Sequence, residues 1–343
     1  IRGVHLFGPL LRAVIASASN DHRLGANEAP PAILSVYLGD QLERVFNDIK
    51  EGKLLKSEVG GLMDLGLSQI LKFERDPGDR NRTSPFAFTG NRFEFRAVGS
   101  SASVSGPLVA MNTMLADSLN WIADKLEAEL ATGTSKPVAA IKVLKELMEG
   151  HSNVIFGGDG YSSEWHRIAV EERGLKNLPT SADALPAFRE ESVVKLFSST
   201  GVLTPVELES RFEVYSEQYL LSIEVEAKLV VDMATTSIYP AAVEYLSQLA
   251  STTASMAAMS ISLDSTVAAA VAKEANAMMA AVAKLSAALE VHDFDSTEAH
   301  MQYAASTLRS LMVDVRGHAD TLETLVADDL WPLPKYSEML FIK

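Results

Sequence analysis

The sequence predicts an α+β fold: antiparallel strands with helices over residues 1–135, then a long, mostly helical extension over 136–343. Three observations carry that expectation. Residues 86–89 and 92–96 are strand-like runs separated by Gly90-Asn91, the signature of a hairpin with a tight turn. Beyond Gly106-Pro107, apolar residues recur every three or four positions to about residue 327, the period of amphipathic helix. A 343-residue chain with 47% hydrophobic and 22% charged residues has an ordinary globular composition and length for one large domain or two.

Taken in order, residues 7–19 place Leu10, Leu11, Val14, Ile15 and Ala18 at helical spacing and end in Ser19-Asn20-Asp21. Residues 20–31, Asn-Asp-His-Arg-Leu-Gly-Ala-Asn-Glu-Ala-Pro-Pro, are charged, contain glycine and stop at a proline pair. That composition reads as a loop carrying function. Residues 32–38 fit a buried strand or the start of a helix, and 38–56 read mostly as amphipathic helix. A polar segment, 74–84, leads into the hairpin. After it, Met111, Met114, Leu115, Leu119, Ile122, Leu126 and Leu130 repeat at helical spacing.

Pro137 opens a further helix that ends near Gly150 and leads to Val154-Ile155-Phe156-Gly157-Gly158-Asp159-Gly160. This glycine run lacks the lysine and hydroxyl of a Walker phosphate loop and reads as a turn. Thr204-Pro205-Val206-Glu207 is a helix start, with a capping threonine, proline first and glutamate three residues on. Breaks in the later helices are expected near Tyr239-Pro240, 251–253 and 293–297. Between Val267 and Leu289 the spacing resembles a coiled-coil seam, with alanine dominance favouring close helix packing. Trp121, Trp165 and Trp331 are expected to be packing anchors.

Composition also narrows the function. A net charge of −15, from 45 acidic and 30 basic residues, argues against broad binding to nucleic acid or to an anionic membrane. The absence of cysteine excludes disulfides, thiolate metal sites and a cysteine nucleophile. No run of about 20 apolar residues could span a bilayer, so no membrane association is expected and a cytoplasmic location is.

Against this acidic background the basic residues of 92–96 are conspicuous. In an extended strand, Arg92, Glu94 and Arg96 leave one face while Phe93 and Phe95 leave the other. Two guanidinium forks beside one carboxylate can hold anionic oxygens and a divalent cation side by side. Phosphoryl transfer needs that combination, because its transition state is stabilised by positioning and positive charge. The same pattern also fits a solvated ion-pair ladder on a sheet edge.

Residues 20–31, Asn81-Arg82-Thr83 and Arg92-Phe93-Glu94-Phe95-Arg96, in that order, resemble glutamine synthetase. In that family an Arg-Leu…Gly…Glu-Ala-Pro loop is followed by Asn-Arg-Ser/Thr and then Arg-x-Glu-x-Arg. The likeness is closest to the long type III class, to which the run Asn20 to Ala32 and the helical tail are similar. The resemblance implies ATP-dependent ligation of ammonia to the side-chain carboxylate of L-glutamate through a γ-glutamyl phosphate. It implies ATP and Mg2+ (or Mn2+) as cofactors, and a homo-oligomer, a dodecamer of two hexameric rings. It also implies roles: Glu28 takes a proton from ammonium; Arg23 and Arg96 bind glutamate; Arg82 and Arg92 neutralise the transferring phosphoryl group and the nucleotide phosphates; Glu94 coordinates the metal.

The match has departures. One residue fewer separates Arg23 from Glu28 than in the commoner classes, and Pro85-Phe86-Ala87-Phe88 stands where a second family arginine is usual, with Arg80 nearby. The family's amino-terminal β-grasp domain and upstream metal motifs have no room ahead of a loop at residue 20. The chain is therefore expected to be a carboxy-terminal half, not competent alone. The alternatives are a non-catalytic scaffold relative, or a γ-glutamyl ligase that uses another amine.

Overall fold

The computed structural model describes residues 1–26, 29–52, 62–63, 73–74 and 83–340, with backbone alone at 62–63, 73–74 and 336–337. The chain is mostly helical with a small sheet, the α+β class the sequence indicates. It divides into two compact units, Ile1–Ser216 and Glu217–Lys343.

The first unit begins with α1 (Arg2–Ala13), which kinks at Phe7 two residues before Pro9. Proline lacks the amide donor and its ring crowds the preceding turn, so a kink there is expected. Val4, Phe7, Leu10, Leu11 and Ala13 of this helix are buried. The helix stops well short of residue 19. Ser17 instead caps a second helix, α2 (Ala18–Arg23), accepting from the Asn20 amide at 3.2 Å. Asn20 to Arg23, expected in the loop, are thus helical, started by a serine cap that competes with helix continuation.

Next come β1 (Val36–Tyr37), α3 (Gly39–Lys50), β2 (Leu62–Met63), β3 (Phe73–Glu74), β4 (Phe86–Phe88) and β5 (Phe93–Phe95). The expected hairpin forms: β4 and β5 are antiparallel, with Phe86 opposite Phe95, Ala87 opposite Glu94 and Phe88 opposite Phe93. Gly90, at φ +96°, takes the first turn position with Asn91 second, the Gly-first arrangement that suits a twisted two-residue turn. β1 joins β4 in parallel, so the three-stranded sheet is mixed rather than wholly antiparallel. A parallel partner requires a long crossover, and α3 lies in that connection. On the other side of β1, the Phe156 amide donates to the Val36 carbonyl at 3.0 Å.

The helices α4 (Ser105–Ala131), α5 (Lys136–His151), α6 (Ser163–Arg167), α7 (Ser181–Ala184) and α8 (Glu191–Thr200) complete most of this unit. α4 packs on α1, α5 and α8 through Ala110, Thr113, Met114 and Ser118, while Leu115 and Leu119 on its other side are exposed. Trp165 is fully buried and stacks on Phe156 with ring centroids 3.6 Å apart. α9 (Pro205–Met233) carries residues of both units. It starts at the expected cap: the Glu207 carboxylate accepts from the Thr204 amide at 2.7 Å, and Thr204 Oγ1 accepts from the Glu207 amide at 3.3 Å. The bonds that the carboxylate accepts from the Thr204 amide and, at 2.8 Å, from the Thr204 hydroxyl hold the Glu207 carboxyl below its ordinary pKa.

In the second unit, α10 (Tyr239–Ala258), α11 (Thr266–Leu289), α12 (Thr297–Tyr303), α13 (Arg309–Leu325) and α14 (Tyr336–Leu340) follow. Pro240 does not break the chain as expected. A π-helical turn, Ala234–Ile238, precedes α10 and absorbs the missing donor. Residues 251–253 also continue the helix, because Thr253 Oγ1 donates to the Leu249 carbonyl and is satisfied in place. The break at 293–297 is present, with Ser296 capping α12. On α11, Val271, Ala275, Met278, Val282 and Leu285 are buried at alternating four- and three-residue steps. This seam meets α13, whose Met312, Val315 and Leu322 are buried. Trp331 is buried as expected.

Candidate functional site

The alternation read from residues 92–96 is present in three dimensions. Phe93 and Phe95 both lie against Phe86, with ring centroids 5.6 and 6.0 Å away. On the charged side, Glu94 Oε1 is 3.2 Å from Arg92 Nη2, and Glu94 Oε2 is 3.5 Å from Arg96 Nε. The row is graded in exposure: the Arg92 side chain is 72% exposed, Glu94 37% and Arg96 16%. Exposed pairs of this kind contribute little stability, about 0–1 kcal/mol. Glu94 and Arg92 can therefore exchange each other for a stronger partner, a cation or an anion, at small cost, whereas Arg96 is the more buried member of the row.

The strand is tied to the root of the 20–31 segment. Arg23 donates from Nη2 to the Ala97 carbonyl at 2.7 Å and from Nε to Asn20 Oδ1 at 2.9 Å. Asn20 Nδ2 in turn donates to Ala97 O at 3.0 Å and Ile15 O at 2.7 Å. Two of the three guanidinium nitrogens of Arg23 thus fix the loop root beside Arg96. Of the six predicted site residues, the structure sets Arg92, Glu94 and Arg96 in a row along β5, with Arg23 bonded at the Ala97 end of that row. Glu28 and Arg82 lie outside the described residues. The Gly25 amide donates to Pro30 O at 3.0 Å and the Ala29 amide to Ala26 O at 3.0 Å.

Further contacts escape sequence reasoning because they are distant along the chain. Tyr161 donates its hydroxyl to the Ala29 carbonyl at 2.8 Å. Gly160 lies so close to Thr83 that a Cβ there would stand 2.7 Å from the Thr83 carbonyl oxygen. Ser181 donates its amide and its hydroxyl to the Asp21 carboxylate, each at 2.8 Å. The only local sign of these residues was the glycine run ending at Gly160, and periodicity gives no hint of its partners.

Among the described residues, the row offers a divalent cation one carboxylate, Glu94, flanked by two arginines. Mg2+ commonly takes one or two carboxylates, with phosphates and water completing its shell, so this donor set suits a phosphate-bridged ion. Among the described residues no cluster of three or more acidic or histidine side chains could hold a metal without such help. No helix among them is long and apolar enough to cross a membrane.

Residues 139–257 match the family model of the glutamine synthetase C-terminal domain. Over 352 aligned residues, the chain is 40% identical to the type-3 glutamine synthetase of Dictyostelium discoideum, covering 100% of this chain and 48% of that protein. It is 36% identical to a glutamine synthetase of Bacteroides fragilis (strain YCH46), covering 99% of this chain and 48% of that protein. A glutamine synthetase of Butyrivibrio fibrisolvens is 34% identical, with 99% and 49% covered. The chain spans about half the length of the curated relatives it matches. The chain is thus similar to glutamine synthetases from end to end, a type-3 enzyme among them, with the match to their C-terminal domain lying inside that span.

Proposed function

We propose that this chain is part of a glutamate–ammonia ligase. In that reaction ATP phosphorylates the glutamate side-chain carboxylate, and ammonia then displaces phosphate at the same carbon to give glutamine. The observation that carries the reading is the Arg92–Glu94–Arg96 row, joined through Ala97 to Arg23 at the root of the segment that bears Glu28.

In this reading Arg92 and Arg82 supply positive charge to the nucleotide phosphates and to the phosphoryl group in transit. Glu94 offers an oxygen to a Mg2+ or Mn2+ ion, whose contribution when bound is to neutralise and orient those phosphates. Arg96, held by its limited exposure, grips a glutamate carboxylate with a charge-assisted bond, and Arg23 supports it from the loop root. Glu28 binds ammonium electrostatically and then takes its proton. Residues 1–135 would supply this wall and residues 136–343 would form the helical extension. Assembly as a homo-oligomer, a dodecamer of two rings, and a cytoplasmic location are part of the same proposal.

The test uses the full-length protein with ATP, Mg2+, L-glutamate and ammonium. Glutamine and phosphate appearing together, in equal amounts and only with all substrates present, is the expected result. Phosphate release independent of glutamate, or no product at all, would reject the ligase. A higher kcat/KM with another primary amine than with ammonium would favour the amine-variant ligase.

A further inference from the structure

We infer that Gly160 and Tyr161 are positioning residues that set the two segments carrying Glu28 and Arg82 relative to the sheet; the inference rests on the ligase reading above. These adjacent residues touch the immediate neighbours of both: Tyr161 reaches Ala29, which follows Glu28, and Gly160 reaches Thr83, which follows Arg82.

Each contact has a distinct physical basis. The Tyr161 hydroxyl donates to the Ala29 carbonyl at 2.8 Å, and Ala29 is buried, so the bond is shielded from competing water. Gly160 is required for space rather than for conformation. Its φ is not among the positive values of the chain, but a Cβ would meet Thr83 O at 2.7 Å, Pro31 Cγ at 3.2 Å and Thr83 Cβ at 3.3 Å. Only glycine lets these backbones approach so closely.

The dipeptide is itself held firmly. Its own amide at Tyr161 donates to Asp159 Oδ1 at 2.9 Å, and the His166 ring nitrogen Nε2 lies 3.2 Å from the Gly160 carbonyl. Phe156, five residues before Tyr161, bonds to Val36 of β1 and stacks on the buried Trp165. A continuous set of contacts therefore runs from the sheet, through this turn, to Ala29 and Thr83. Ala29 and Thr83 are covalently next to Glu28 and Arg82, so these contacts anchor the chain on one side of each. Misplacing a reacting group by 1 Å can cost about a hundredfold in rate.

The experiment measures glutamine formation by the full-length protein and its Tyr161→Phe and Gly160→Ala variants, each assayed far below its melting temperature. Tyr161→Phe keeps the ring and deletes the hydroxyl that bonds Ala29. It should lower kcat roughly two- to tenfold, the range expected for one hydrogen bond, and leave KM for ATP unchanged. The acid limb of its kcat/KM profile for ammonium should also move, which a merely structural role would not produce. Gly160→Ala should lower kcat on the order of a hundredfold. Unchanged kcat, KM and pH profile in Tyr161→Phe, or a loss that only tracks the fraction folded, would overturn the inference while leaving the ligase reading intact. A wild-type protein that makes no glutamine would overturn the reading itself.

Discussion

Asp21 and Arg12 form an ion pair of 3.0 Å with their side chains 0% and 1% exposed. The carboxylate also accepts from the Ser181 hydroxyl and amide, and Arg12 Nε donates to the Leu178 carbonyl at 2.9 Å. One carboxylate thus fastens α2 to α1 and to the start of α7. Removing one partner of a buried pair leaves the other charge uncompensated and costs about 3–5 kcal/mol. Asp21→Ala should lower the urea unfolding free energy by that amount; an unchanged midpoint would show that the pair is replaceable by water.

His5 and His151 meet through their Nδ1 atoms at 2.8 Å, joining α1 to α5. Burial holds both imidazoles below the ordinary 6.5, and His151 is lowered further by His5 and by Arg2 nearby. The sign of the effect follows from linkage. Above about pH 6.5 both rings are neutral in folded and unfolded chains alike. As the pH falls through that value the unfolded chain takes up protons first, so stability is lost progressively down to the lowered folded-state values. Urea midpoints should therefore fall between pH 7.5 and pH 5.5, and His151→Asn should flatten the dependence. Equal slopes in the two proteins would remove the pair as its source.

Two residues in the left-handed region give opposite expectations. Gly90 has φ +96° with nothing within 4 Å of a would-be Cβ, so its requirement is purely conformational. Gly90→Ala should cost about 1–2 kcal/mol. Ser260 occupies φ +60° where α10 ends, with the Ile261 amide bonded to Met256 O at 2.9 Å. Ser260→Gly should relieve that strain and raise stability by up to about 1 kcal/mol. Thermal unfolding of both variants decides the signs.

Much of this fold is legible from local pattern. The hairpin around Gly90-Asn91, the Thr204–Glu207 cap and the α11 seam follow from turn chemistry, capping and period, all of which act within a few residues. The errors have equally specific causes. Ser17 starts a new helix where periodicity alone continues the old one. Pro240 is absorbed by a π turn, and Thr253 satisfies its hydroxyl on the preceding turn. The parallel pairing of β1 with β4 depends on a crossover that no local signal encodes. The site shows the same division. The charged row of β5 could be read from alternation, whereas Tyr161 on Ala29 and Ser181 on Asp21 span 132 and 160 residues of sequence.

The central claim is that the Arg92–Glu94–Arg96 row forms the phosphate and metal wall of a ligase site. It is tested most directly by Glu94→Ala in the full-length protein, assayed for γ-glutamyl hydroxamate formation from glutamate, hydroxylamine and ATP across a titration of Mg2+ or Mn2+. The variant should retain its fold, because Glu94 makes only weak, partly exposed pairs. Its activity at a fixed metal concentration should fall on the order of a hundredfold or more. Undiminished hydroxamate formation with unchanged metal dependence would contradict the claim.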